Sequence, residues 1–251
     1  MHRSLEFKNL PLTVVGIRFA ILPGQTLDLA SCANLFEGLR PSGFDQMVDS
    51  DEVESAPGQS VVFRLGRNPI LIRRSRDNVA VKVQPEVLAV QWRSTPRVEV
   101  PYPRYQTLRE VVVSVFRTLS ITSEHVNALN MSYTNEPELE SRSSEASVCR
   151  FISPTFVPTG LQSRKEFHQL ELAWRDDDGT DLRLLVQSIQ RRSEEPDLRL
   201  RLHTVAGRFL EGRDVLENLD AVHDRLQTFF KELITQEAKQ EWGYVEHELF
   251  N

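Results

Sequence analysis

The chain has little of the residue chemistry on which common catalytic and metal sites depend. Only 2 of its 251 residues are cysteines, Cys32 and Cys149, too few for a disulfide framework or a cysteine-rich zinc site. Its 6 histidines include no close helical pair and none beside a cysteine, which excludes the usual zinc spacings. No nucleophile elbow, phosphate-binding loop or dinucleotide fingerprint occurs. The sequence therefore favours a non-catalytic protein with no catalytic residue, cofactor or metal, in a reducing cytoplasm.

Long apolar runs are absent as well. No run approaches the ~20 residues that span a bilayer, and the start of the chain lacks the apolar core of a signal peptide. We therefore expect a cytoplasmic protein with no membrane partner. The composition, 40% hydrophobic and 26% charged, is ordinary for a globular protein. We expect a single domain over residues 1–251, with 1–125 and 126–251 as candidate halves.

The most regular pattern that is present lies between Asp214 and Ile234. Apolar residues separated by four and three positions place one stripe on an α-helix, at Val215, Leu219, Val222, Leu226, Phe229 and Leu233. Asp214 and Glu217 have the spacing of a capping box, which marks the start of a helix. Because a stripe of this breadth must be covered, it predicts a helix that packs on a sheet.

A second amphipathic helix is predicted from the stripe that runs from Leu108 to Leu119. Thr107 and Glu110 give it a second predicted capping box. A further helix is predicted over residues 26–39. Residues 40–58 and 135–147 are predicted to be loops, because they are polar and contain proline.

Alternating apolar residues predict strands on either side of these helices. The predicted strands cover residues 12–22, 61–63, 70–72, 79–83, 87–92, 128–134, 167–175, 182–189 and 198–206. Turn signals separate most of them, and Asp176–Gly179 ends in a hairpin signal. The expected fold is α+β, with two antiparallel meanders each followed by a capped amphipathic helix. An echo between Trp92-Arg93 and Trp174-Arg175 makes a duplicated unit a candidate interpretation.

Charge is distributed unevenly along the chain. The net charge is -6, and the stretch from Glu211 to the end accounts for it with ten acidic and four basic residues. Residues 60–110 carry ten basic and four acidic residues, a net of +6. Four arginines of that segment form a candidate basic binding face: Arg67, Arg73, Arg74 and Arg76.

Complementary charges of this kind favour protein association. A protein partner or self-association is therefore the preferred function. The alternative is a nucleic-acid-binding protein that uses the basic meander of residues 60–110, although aromatic residues that would grip single strands are few there. The sequence indicates no membrane partner.

Histidines support a second alternative, an enzyme or small-molecule binder. His203 shares a predicted strand face with Arg199 and Arg201, and these three residues form a candidate pocket. His223 borders the stripe of the C-terminal helix and is predicted to be a hydrogen-bonded histidine at the edge of the core. A dyad with Asp224 is rejected, because adjacent helical side chains point about 100° apart.

Several short segments together resemble a known bacterial family. They are Pro11-Leu12 leading into Val14–Phe19, Tyr102–Tyr105, Leu129–Asn135, Leu219–Asp224 continuing to Thr235, and Trp242-Gly243. The family they resemble is distributed sporadically among bacteria, has roughly this chain length and has no established function. The resemblance implies an α+β protein and carries over no catalytic residues. The sporadic distribution implies a mobile-element or phage-defence locus.

Overall fold

Strands and helices alternate along the chain in a computed structural model, which describes residues 6–7, 9–23, 27–49, 69–94, 101–139, 145–157, 169–190, 198–210 and 212–245. The strands are β1 Glu6–Phe7, β2 Leu12–Ile21, β3 Gln46–Asp49, β4 Ile70–Arg74, β5 Val79–Gln84, β6 Val87–Arg93, β7 Val126–Asn135, β8 Gln169–Arg175, β9 Asp181–Gln190, β10 Leu198–Phe209 and β11 Tyr244–Val245. The α-helices are α1 Leu29–Leu39, α2 Arg104–Thr118, α3 Glu145–Phe151, α4 Val215–Leu233 and α5 Gln236–Glu241.

The main sheet of the described residues has nine strands in the order β3-β4-β5-β6-β2-β7-β10-β9-β8, and β1 pairs with β11 in a separate ribbon. The predicted α+β class is confirmed. Both predicted meanders form, as β4–β6 and β8–β10, with antiparallel pairing. They belong to one nine-stranded sheet, whereas the sequence predicted two separate meanders, because pairing between distant strands leaves no local pattern.

Two compact units divide the chain. The β4–β6 unit comprises Val14–Met131 and Arg208–Leu219. The β8–β10 unit comprises Met1–Thr13, Ser132–Gly207 and Asp220–Asn251. The division into halves 1–125 and 126–251 stays a prediction.

The core of the β4–β6 unit lies between one sheet face and two helices. Alternate residues of β2 are buried from Val15 to Ile21, as their spacing predicted. From the helices, α1 contributes Cys32, Leu35 and Leu39 to the buried set, and α2 contributes Phe116, whose ring meets Phe19 at 4.9 Å. One sheet face is therefore covered, which leaves the alternate residues of the same strands on the other face.

Two predictions in this unit are wrong. Residues 40–58 were expected to be a loop, yet Arg40–Ser42 forms a 3-10 turn and Gln46–Asp49 pairs with β4 as an edge strand. An edge strand can be held by backbone hydrogen bonds without an apolar pattern of its own. Helix α2 begins at Arg104, so Thr107 lies inside it and cannot cap it. The expected strand at residues 61–63 lies outside the described residues.

The β8–β10 unit contains a regular hairpin and a helix-covered sheet face. In the predicted turn, Gly179 has φ 82 and its N–H donates to the Asp176 carbonyl at 2.9 Å. Residues 135–147 were expected to be a loop, but β7 extends to Asn135 and α3 begins at Glu145. After α4, Thr235 caps the short helix α5 through its side chain.

Helix α4 confirms the strongest sequence pattern. All six residues of its predicted stripe are buried. Its predicted cap forms, because the Asp214 carboxylate accepts a hydrogen bond from the Glu217 N–H at 2.8 Å. The capping interaction satisfies a backbone donor that has no partner inside the helix.

Candidate functional site

Of the four arginines predicted as one binding face, the three that the structure describes do not share one surface. Arg73 lies on one face of β4, whereas the adjacent Arg74 lies on the opposite, helix-covered face and is 5% exposed. Arg76 is exposed in the turn that follows β4. Arg67 lies outside the described residues. The predicted set is therefore wrong as a single surface, because neighbouring residues of a strand point to opposite faces.

Arg74 is held inside by several partners. Its Nε donates to Asp77 Oδ1 at 2.9 Å, and its guanidinium carbon lies 5.2 Å from the centre of the Phe44 ring. Its Nη1 donates to the Ser42 carbonyl at 3.4 Å. These contacts give Arg74 a structural role in the unit rather than a role in binding.

A different set of cations does share the sheet face of the β4–β6 unit that lies opposite α1 and α2. It is called the basic face here and consists of Arg18 on β2, Arg73 on β4, Lys82 on β5 and Arg93 on β6. The strand registers place them together: Arg18 pairs with Ala89, and Ala89 also pairs with Lys82. Arg18 and Arg93 are exposed, and Arg73 and Lys82 are half-buried.

The space among these cations is filled by small and amide side chains. Arg73 pairs with Ala80, Ala80 with Gln91, and Gln91 with Gly16, so the row that begins at Arg73 continues over the next three strands with uncharged, non-aromatic residues. Alternation puts no acidic and no aromatic residue on this face of β2–β6 within the described chain. The basic face therefore has uncharged and mostly short side chains at its centre, with cationic side chains around them.

The four cations of the basic face have no counter-charge among the described residues. No ion pair joins any of them to another residue in the part of the chain that the structure describes. Charges that are not neutralised locally attract a polyanion over a longer range than paired charges do. Among the described residues, the basic face therefore keeps its positive charge.

The candidate pocket residues of the β8–β10 unit share one sheet face, as predicted. Arg199 donates to Glu138 at 2.6 Å, and Arg201 donates from its Nη2 to the buried Glu136 at 2.8 Å. His203 Nδ1 lies 2.9 Å from the Thr134 hydroxyl. The two arginines are thus paired with carboxylates, in contrast to the basic face. A pocket at these residues stays a prediction.

Burial and the neighbouring Arg201 charge lower the pKa of His203 from its ordinary value of 6.5. The ring is therefore neutral near pH 7. A neutral ring adds no charge to this face.

His223 on α4 is a buried histidine with partners, as predicted. Its Nε2 lies 2.9 Å from Gln227 Nε2, one turn further along the helix. A dyad with Asp224 was rejected from helix geometry, yet Nδ1 of His223 lies 3.3 Å from Asp224 Oδ1. Neighbouring side chains diverge at Cβ, but a ring and a carboxylate are long enough to turn back toward each other.

Other reactive groups offer no assembled site. Burial raises the pKa of the Cys32 thiol to about 11, so it is protonated at neutral pH and a weak nucleophile. Within the described ranges, no group of three or more His, Cys, Asp or Glu residues lies close enough together to hold a metal ion. Among the same residues, no helix is long and apolar enough to span a membrane.

Sequence reasoning partly anticipated the basic face. Arg73, Lys82 and Arg93 belong to the basic segment, but Arg18 lies far upstream of it. The signal that could have identified Arg18 is its alternation with buried Ile17 and Phe19 in β2. The alternation in β2 does not indicate which strand pairs with it.

Comparison with known proteins adds no function. No protein family model matches the chain, and no curated protein sequence matches it. The resemblance to a sporadically distributed bacterial family stays a prediction.

Proposed function

We propose that this protein binds nucleic acid through the basic face of the β4–β6 unit. The observation that carries the proposal is the sharing of one sheet face by Arg18, Arg73, Lys82 and Arg93, with no acidic residue at the described positions of that face. Phosphate groups are the anions that such a spread of cations would contact, and neutralising them releases condensed counterions. Nucleic-acid binding, the alternative function in the sequence analysis, is therefore preferred to a protein partner.

Because the whole protein is acidic, the clustering of its basic residues matters for binding to a polyanion. A chain with a net charge of -6 repels polyanions at long range, so binding requires a concentrated positive surface. The basic face supplies this concentration. The comparable face of the β8–β10 unit does not, because Glu136 and Glu138 offset its arginines.

The first prediction concerns the salt dependence of binding. The double substitution Arg18→Gln/Lys82→Gln is expected to weaken binding to a DNA duplex of about 20 base pairs by roughly 10–100-fold at low salt. The slope of log affinity against log salt should become shallower by about 2, because each lost phosphate contact releases about 0.9 fewer counterions. Fluorescence anisotropy at several salt concentrations measures both quantities.

The matched control removes the same charge from another surface. Arg40→Gln/Arg117→Gln alters two exposed arginines at the ends of α1 and α2, helices of the covered face. This variant should keep the affinity and the slope of the wild type. Equal losses in both double variants, or no binding by the wild type at low salt, would contradict the proposal.

A protein partner or self-association remains the second candidate, and exposed apolar residues favour it. Phe209 is 54% exposed and Leu22 is 39% exposed. The Leu22 N–H donates to the His125 carbonyl and the Leu210 N–H to the Asn127 carbonyl, each at 2.9 Å. Leu22 and Phe209 therefore flank the beginning of β7, where a partner could bury both.

The second prediction tests this apolar pair. If it mediates self-association, the wild type should form oligomers that dissociate after Phe209→Glu, because a buried carboxylate without a partner is costly. Light scattering over a range of protein concentrations measures the change. A wild type that is monomeric at every concentration would exclude self-association through this apolar pair. Leu216→Glu, at a half-buried position of α4, serves as a charge-matched comparison.

We also propose an internal duplication of the chain, which the order of its strands and helices supports. One half reads β2, α1, β3, β4–β6, α2, and the other reads β7, α3, β8–β10, α4, so the halves match except for the added edge strand β3. In each half the last meander strand is the sheet neighbour of the single strand that precedes the first helix. The echo between Trp92 and Trp174 does not follow this order, because β6 is the last strand of its meander and β8 is the first.

Three further expectations remain proposals. They are a location in the bacterial cytoplasm, a role in a mobile-element or defence locus, and a small-molecule or catalytic site near His203. A nucleic-acid-binding function is compatible with the first two. The third would require a ligand that competes with Glu136 or Glu138 for the arginines of β10.

A further inference from the structure

We infer that the basic face holds a double helix of B-form DNA across its phosphate ridges, rather than a single strand. The inference rests on the proposed nucleic-acid function and names its ligand. It is carried by three properties of the face: the layout of its cations, the small side chains at its centre and the lack of aromatic rings.

Arg73 lies at one end of the central row, and the other three cations lie on its two sides. Strand spacing of about 4.8 Å and about 6.8 Å between alternate residues give the layout of the face. Arg93 lies beyond Gln91 on one side of the row, and Lys82 and Arg18 lie on the other. The Cα atom of Arg93 is therefore about 14 Å from those of Lys82 and Arg18 by the same spacings.

This separation fits two phosphate strands with a groove between them. The minor groove of B-form DNA is about 6 Å wide and its major groove about 12 Å wide between the bounding backbones. Long basic side chains that start about 14 Å apart can incline toward phosphates on either side of a groove. A single strand offers only one line of phosphates, so it would leave one side of the face without a partner.

The width of the sheet decides how the duplex lies. Five neighbouring strands, from β3 to β2, form this part of the sheet. At the usual strand spacing, β3 and β2 lie about 19 Å apart. A sheet this wide does not enter the about 12 Å major groove, which admits a helix or a two-stranded ribbon. It therefore lies across the ridges, where it contacts the backbone and meets few base edges.

The centre of the face permits that approach. Gly16, Ala80 and Ala89 project little beyond the sheet, so the ridges can come close while the surrounding cations reach outward. Gln91 is the polar group at the centre, and its amide can donate to or accept from a base edge. One amide reads little sequence, so we expect weak sequence preference.

Single-stranded ligands require different chemistry. Proteins that bind them stack successive bases on aromatic side chains, and the described positions on this face of β2–β6 carry none. RNA duplexes are recognised in part through their 2′-hydroxyls. Gly16, Ala80 and Ala89 have no side-chain group that could bond a hydroxyl, which leaves Gln91 as the one uncharged polar side chain of the central row among the described residues.

The test compares three probes of one sequence: a DNA duplex of about 20 base pairs, its separated strands and the matching RNA duplex, all at one salt concentration. The DNA duplex is expected to bind at least 10-fold more tightly than either single strand and more tightly than the RNA duplex. Tighter binding of a single strand or of the RNA duplex would overturn the inference while leaving nucleic-acid binding intact. Failure of all three probes would overturn the proposed function as well.

A variant separates shape from charge. Ala89→Leu adds bulk at the centre of the face and removes no cation, so it should weaken binding of the DNA duplex by about 10-fold with an unchanged salt slope. Ala33→Leu, at an exposed position of α1, is the matched control and should change neither quantity. Thermal unfolding of both variants verifies that each is folded. Unchanged affinity in folded Ala89→Leu would show that no ligand approaches the centre of the sheet, and would overturn the inference.

Discussion

Replacing Phe229 with alanine is expected to lower the free energy of unfolding by about 3–5 kcal/mol. Phe229 is 2% exposed and lies in the buried stripe of α4. Its ring meets Trp174 at 5.4 Å and Phe156 at 6.1 Å, both edge to face. The substitution would remove a large buried ring and leave a cavity, while alanine itself favours the helix.

Urea denaturation monitored by tryptophan fluorescence measures this loss, since Trp174 contacts the ring directly. Phe209→Ala removes the same atoms from a side chain that is 54% exposed and should change stability by less than about 0.5 kcal/mol. A loss below about 1 kcal/mol for Phe229→Ala would mean that the helix does not depend on this contact.

Two adjacent arginines are expected to respond to substitution in opposite ways. Arg74→Ala should lower the free energy of unfolding by about 2–4 kcal/mol, because it removes a buried cation that pairs with Asp77 and packs on Phe44. The expected loss is below that for a fully buried pair, since the Asp77 side chain is 20% exposed. Folded Arg74→Ala should bind DNA like the wild type.

Arg73→Ala should do the reverse. Its stability should stay within about 0.5 kcal/mol of the wild type, and its salt slope for duplex DNA should become shallower by about 0.9. Urea denaturation and anisotropy on the same two proteins measure both quantities. If Arg74→Ala lost binding while remaining as stable as the wild type, the assignment of the two faces of β4 would be wrong.

The elements with strong local periodicity could be predicted from the sequence. The stripe and cap of α4, the alternation of β2, and the two meanders with their turns were all readable, because helix and strand periodicity is imposed by backbone geometry within a few residues. The α+β class followed from the same patterns. The position of His223 at the edge of the core was predicted correctly as well.

Elements held by remote partners could not be predicted. The edge strand β3 forms because Gln46–Asp49 pairs with β4, and α2 begins at Arg104 without the side-chain cap that its sequence suggested. The burial of Arg74 depends on Phe44 and on the Ser42 carbonyl, both distant in sequence. A charged residue read alone is expected outside, and only a tertiary environment with such partners reverses that expectation.

The candidate site divides in the same way. Alternation by itself determined that Arg18 in β2 points away from the buried face that Ile17 and Phe19 form. The sequence also determined that the segment of residues 60–110 is basic. Only the tertiary structure decided that Arg18 and Lys82 lie on either side of Ala89 in neighbouring strands, and that Arg74 is buried. Strand direction and alternation are local properties of the backbone, whereas the neighbour of each strand is chosen by the packing of the whole sheet.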